Sequence, residues 1–204
     1  MSPGWIVGGG SALAVSAAVS RAMRHSGARH PSPADAVTLS RAIMSSVVAG
    51  LVVDVPRRPL RRAVAVPLTV GALVLDAVDG AVARHTGSSS AFGARLDGEV
   101  DAFLILTLTT HVSRSFGRWV LVGGVARYIF GAAGWVWPWM RRPLPPRYWR
   151  KVAAATEGIT LTAAMSGVLS RRITLVGLAA GAALIAESFG RDIWWLWTRH
   201  GDPL

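Results

Sequence analysis

The stretch "LDAVDGAVARHTGSSSAFGARLDGEVDAF" (Leu75–Phe103) holds five of the chain's eleven acidic residues. Asp76 and Asp79 stand three residues apart near the end of one apolar run. Asp97 and Asp101 stand four apart at the start of the next, with Glu99 between them. On helices, both spacings put a pair on one face. The segment between them contains Gly87, Ser88, Ser89 and Ser90, a flexible connection that lets two helices turn back antiparallel. The four carboxylates can then converge at one membrane face. Four anions that close need cations to stay ionised. Oxygen-only ligands select hard divalent ions, Mg²⁺, Mn²⁺ or Ca²⁺, and the lack of Cys anywhere and of His on either acidic turn argues against zinc. Helix capping, or pairing with Arg84 and Arg95, is the alternative; it explains one acid more readily than four at one membrane depth.

The surrounding sequence sets the fold class. The chain has 204 residues, 51% of them hydrophobic, with a mean hydropathy of +0.40. Apolar stretches of bilayer-spanning length fall at residues 4–20, 36–54, 62–83, 98–113, 119–138, 149–169 and 172–190. They predict an all-α, polytopic membrane helix bundle: a six-helix core preceded by an extra transmembrane helix. The N-terminal run, Trp5 to Val19, is followed rather than preceded by Arg21 and Arg24, which fits a retained helix better than a cleaved signal. The domain division is therefore an N-terminal helix and basic linker over 1–30 and the membrane domain over 31–204. "MRRPLPPRYWRK" (Met140–Lys151) is the clearest loop, because its prolines cannot continue a helix. Tryptophans cluster beside it (Trp135, Trp137, Trp139, Trp149) and near the C-terminus (Trp194, Trp195, Trp197), as in interfacial belts.

The net charge is +11, and Lys151 is the one lysine among 22 basic residues, a codon bias that fits a GC-rich bacterial genome. Basic loops of this kind meet anionic headgroups. No basic stretch carries the interleaved aromatics of strand binding, so membrane lipids and not nucleic acid are the expected partners. The distribution of loop arginines favours a plasma-membrane protein with the acid cluster facing the cytoplasm; Arg57, Arg58, Arg61 and Arg62 run against that orientation.

Gly80 follows an acid directly, Gly93 sits one turn before Asp97, and Arg84 sits one turn after Gly80. Glycine admits close approach of a ligand, and a guanidinium can hold a phosphate. Asp76-x-x-Asp79-Gly80-x-x-Ala83-Arg84, eight residues, then Gly93-x-x-x-Asp97-x-x-x-Asp101 resembles the full signature of the CDP-alcohol phosphotransferase family. The six-helix core is similar to that family's architecture as well. The resemblance implies two divalent cations, Mg²⁺ or Mn²⁺, held by Asp76, Asp79, Asp97 and Asp101, with Asp101 also the general base. It implies a CDP-linked donor, usually CDP-diacylglycerol, lined by Gly80, Ala83, Arg84, Ser90 and Gly93. "ADAVTLSR" (Ala34–Arg41) resembles the family's segment at the start of the first core helix, where Asp35, Ala36, Val37 and Thr38 would contact the donor. A small alcohol attacks, CMP leaves and a phospholipid forms; a homodimer is compatible with the resemblance.

Acceptor recognition falls to basic residues. Arg127 stands inside a span, and Arg147, Arg150 and Lys151 follow the proline loop. In the family's glycerol-phosphate-using branch the helix after that loop carries two lysines and a glutamine. Here Lys151 matches one lysine, Ala153 replaces the other and Glu157 stands for the glutamine. Glu157 is expected to pair with Arg127 or to bind a polyol, and Glu187 with Arg191 to form an i, i+4 pair. Arg127, Arg147, Lys151, Glu157 and Arg191 are thus the acceptor candidates, and their cations point to a phosphorylated polyol. The competing readings are a divalent-cation transporter, since intramembrane acids also mark ion paths, and a catalytically silent binding protein of the same shape.

Overall fold

The computed structural model describes residues 33–54, 59–86 and 91–199, besides Ile6 and Gly10. The expected N-terminal helix, its basic linker and the Gly87–Ser90 segment lie outside the described residues. Those described form six α-helices and no strand: α1 (Pro33–Asp54), α2 (Pro59–Thr86), α3 (Ala91–Phe116), α4 (Leu121–Val136), α5 (Tyr148–Ser166) and α6 (Arg171–Thr198). The fold is an all-α membrane helix bundle. Large apolar side chains such as Ile43, Val74, Ile129, Ile159 and Val176 face outward, and small or polar residues such as Ala42, Ser45, Thr69, Gly123 and Gly181 are buried. That inverted pattern suits a lipid solvent, in which helices associate through small residues. The stretches Arg118–Val136 and Arg171–Thr198 are long and apolar enough to cross a bilayer, and Val37–Val52 is a shorter apolar helix.

Several helices outrun their apolar spans. The third begins at Ala91 rather than near 98, and the last continues through Trp194, Trp195 and Trp197 to Thr198. Hydropathy marks where lipid ends; a helix stops only at a breaker or a cap. The break after α5 is Gly167, in the left-handed conformation at φ 68°. The entry to α6 is Ser170, whose hydroxyl accepts the Ile173 N–H. The expected loop holds as well: after a short 3₁₀ turn at Pro138–Arg141, the chain is non-helical as far as Arg147.

The chain divides into two compact units, residues 1–107 and 108–204. In the first, α1 packs along α2. On α1, Thr38, Arg41, Ala42, Ser45, Ser46, Ala49 and Val52 recur at helical spacing and are buried. On α2, Ala65, Thr69 and Ala72 are buried on a face that reaches Asp76 one turn later. Two of the buried hydroxyls are satisfied locally: Ser46 donates to the Ala42 carbonyl and Thr69 to the Ala65 carbonyl, each at 2.8 Å; Ser45 Oγ has no partner among the described residues. The packing face of α2 thus delivers its first acid to the side where Arg41 waits. In the second unit, α6 packs against both α5 and α4.

Candidate active site

Asp76 from α2 and Asp97 and Asp101 from α3 come together around a residue of α1. Arg41 lies 3.0 Å through Nη2 from Asp76 Oδ1, pairs through Nη1 with Asp97 Oδ1, and pairs through Nη2 with Asp101 Oδ1. The side-chain exposures are uneven: 2% for Arg41 against 41%, 35% and 37% for Asp76, Asp97 and Asp101. The guanidinium is the floor of the site and the carboxylates are its open rim. The partner that the described residues supply is Arg41, from a helix sixty residues upstream of Asp101; the side chains of Arg84 and Arg95, which the sequence offers as neighbours, lie outside the described residues. One signal could have found it. Arg41 is the only charge between Asp35 and Asp54 in an otherwise apolar helix, and such a charge needs partners.

Ligand oxygens from the three acids lie within 4.8 Å of one another. Around a hard ion with metal–oxygen bonds of about 2.1 Å, opposite ligands stand roughly 4.2 Å apart. Adjacent ligands of such an ion stand about 3 Å apart, so the three acids could hold a divalent ion once their oxygens draw together. Asp79 is on α2 one turn beyond Asp76, with Gly80, Ala83 and Arg84 after it, and Gly93 is in the first turn of α3; their side chains lie outside the described residues, as do those of Asp35 and Ala36 and the whole of Ser90. Val37 is half-buried, and Thr38 is buried one turn before Arg41.

The second unit contains a cluster of opposite sign. Asp192 on α6 is buried, and Arg150 on α5 donates to it from Nε at 2.7 Å and from Nη2 at 2.8 Å. This is the bidentate fork that gives arginine–carboxylate pairs their geometric definition. Arg147 Nη1 lies 3.8 Å from the same carboxylate. Arg147 also lines a cavity of about 380 Å³ with Arg191, Trp194, Trp195, Thr198 and Arg199. Arg191 pairs with Glu187, and the Trp149 indole donates to the other Glu187 oxygen at 2.6 Å.

Of the acceptor candidates, the structure brings Arg147 and Arg191 to one cavity. Lys151 and Arg127 are exposed on α5 and α4 and do not line it. Glu157 is 1% exposed, wedged where Gly123 of α4 and Gly181 of α6 leave room, and its Oε2 has no hydrogen-bond partner among the described residues. Sequence reasoning missed Asp192 and Arg199. Asp192 and Arg150 are 42 residues apart, so no helical spacing announces the pair.

A model of the CDP-alcohol phosphatidyltransferase family matches residues 32–188, more than half of the chain, and the match contains every acid of the cluster. No curated protein and no solved structure matches. The chain belongs to the CDP-alcohol phosphatidyltransferase family, whose members use divalent cations to transfer a phosphatidyl group from a CDP-alcohol to an acceptor.

Proposed function

We propose that this protein moves the phosphatidyl group of CDP-diacylglycerol to a phosphorylated polyol and releases CMP, with Asp76, Asp79, Asp97 and Asp101 holding two Mg²⁺ or Mn²⁺ ions. The observation that carries this reading is the convergence of Asp76, Asp97 and Asp101 from two helices onto one open rim. Bound there, two divalent ions supply neutralisation of the donor's diphosphate. Asp101 takes the proton of the attacking hydroxyl. The new bond joins that oxygen to the phosphorus carrying the diacylglycerol, and the phosphoanhydride bond to CMP breaks. Gly80, Ala83, Arg84, Ser90 and Gly93, with Asp35 to Thr38, form the donor's surroundings. The catalytic domain is residues 31–204, in a bacterial plasma membrane with the carboxylate rim towards the cytoplasm, where CDP-linked donors are made.

The acceptor assignment rests on charge. Arg147, Arg191 and Arg199 share one cavity, and guanidinium groups match phosphate oxygens with a rigid fork. A neutral alcohol would need hydroxyl partners and no such surplus of cations. Incubating the purified protein with CDP-diacylglycerol, Mg²⁺ and a panel of glycerol phosphate, inositol phosphate, free inositol and serine tests the reading, with the lipid product identified by mass. Transfer to the phosphorylated polyols is the expected result. Efficient transfer to inositol or serine with the phosphorylated compounds inert would overturn the acceptor assignment. Metal flux without CMP release would overturn the enzyme. A cysteine at Ser89 should react with an impermeant thiol reagent only after cells are opened; labelling of intact cells would reverse the orientation.

A further inference from the structure

We propose that Arg41 is a positioning residue for the metal ligands: it holds one oxygen of each of Asp76, Asp97 and Asp101 while the site is metal-free, and its charge keeps the affinity for divalent ions low. The proposal rests on the reading of these acids as metal ligands.

Each contact of Arg41 uses the Oδ1 atom of its acid, with Nη2 serving Asp76 and Asp101 and Nη1 serving Asp97. Three carboxylates whose oxygens lie within 4.8 Å repel one another strongly in the absence of a cation. A point charge could face one or two of them. The planar fork of a guanidinium, anchored in the buried face of α1, faces all three and fixes their mutual geometry. Its burial has a consequence. With 2% exposure it approaches from inside, and the acids remain open on the outside, where an ion would enter. The incoming dication meets carboxylates that already share one oxygen with a cation, and it is repelled by the guanidinium itself. Both effects weaken metal binding. Arg41 Nε has no hydrogen-bond partner among the described residues, so the guanidinium is committed to the acids through its two terminal nitrogens. What the metal-free protein gains in organised ligands it gives back as a lower affinity for the ion, which makes the metal exchangeable.

The test uses the full chain in detergent, with Mn²⁺ binding read by the electron paramagnetic resonance of the free ion. Thermal unfolding is followed by tryptophan fluorescence in chelator and in Mn²⁺. Arg41→Gln should bind Mn²⁺ at least tenfold more tightly than the wild type. It should unfold at a lower temperature than the wild type in chelator, and the gap should close in Mn²⁺. Arg41→Lys keeps the charge but loses the fork, so its Kd should tighten severalfold only. If Arg41→Gln does not fold without metal, it is purified in Mn²⁺, and the Arg41→Lys comparison decides. Binding by Arg41→Gln or Arg41→Lys that is no tighter than wild type overturns the proposal. Wild-type Mn²⁺ binding that survives Asp97→Ala unchanged overturns the ligand assignment instead, so the two failures are distinguishable.

Discussion

The two units bury charge in opposite senses. In the first, a buried cation, Arg41, faces three half-exposed carboxylates. In the second, a buried carboxylate, Asp192, faces two half-exposed arginines, Arg147 and Arg150. A fully buried ion pair contributes little, because desolvation consumes most of the Coulombic gain. Here only one sign is desolvated at each place, and the opposite sign is presented outward in excess. Among the described residues, three anions over one cation leave a surplus that calls for cations. Two cations over one anion, beside a cavity lined by further arginines, leave a surplus that calls for an anion. The buried partner in each case fixes where the outward charges stand.

The largest effects should come from the acidic surface. Chelation with EDTA should stop CMP release, and Mg²⁺ or Mn²⁺, but not Zn²⁺ alone, should restore it. Full turnover in chelator would break the comparison at its root, since the anionic surplus would then serve something other than metal. Next in size is Asp101→Asn, which removes the proposed base and leaves the other metal ligands. The rate should fall by ~10²–10⁴-fold, the usual contribution of a positioned base, while binding of CDP-diacylglycerol survives. A loss under about tenfold would deny Asp101 that role.

The basic surface should respond more mildly. Asp192→Asn leaves Arg150 without its charge partner, but the guanidinium is half-exposed and water compensates in part. We expect a stability loss of about 1–3 kcal/mol. If Asp192 aims Arg147 at the cavity, the acceptor KM should rise more than the donor KM. Arg191→Ala should raise the acceptor KM without the stability loss, because its pair with Glu187 is exposed. An unchanged acceptor KM in both variants would make the basic cluster a lipid-headgroup anchor.

The acidic site was legible in the sequence because its information is local. Asp76 and Asp79 share a turn, Asp97 and Asp101 share a turn, and helical spacing alone puts each pair on one face. The six helices were legible for the same reason, although their ends were not, since apolar runs mark lipid depth and α3 and α6 continue past it. What stayed hidden was long-range pairing. Arg41 reaches acids on two other helices, and Asp192 reaches Arg150 on another; the sequence shows each as a lone charge with several candidate partners. Glu157 shows what residue type alone leaves open: the sequence offers it as a partner of Arg127 or a polyol ligand, and the structure adds that it fills a slot between two glycines.

That slot gives the smallest expected effect and the sharpest contrast with the two charge clusters, for Glu157 is buried with no ion pair among the described residues. A methyl group on Gly181 would overlap Glu157 Oε2 and stand 3.0 Å from Thr160 Oγ1, and one on Gly123 would overlap Glu157 Oε1. The carboxyl is therefore held by shape, and shape is what its amide isostere preserves. Glu157→Gln should change stability by less than about 1 kcal/mol, since it alters neither the volume nor the burial of the side chain. Gly181→Ala should cost more, about 1–3 kcal/mol, through overpacking. Glu157→Ala should remove most of the Gly181→Ala penalty, a coupling of about 1 kcal/mol in a double-mutant cycle read by thermal unfolding. If Glu157 instead binds the acceptor, the cycle will be additive, Glu157→Gln will raise the acceptor KM, and the mirror-image pair of charged surfaces will have to admit a third member.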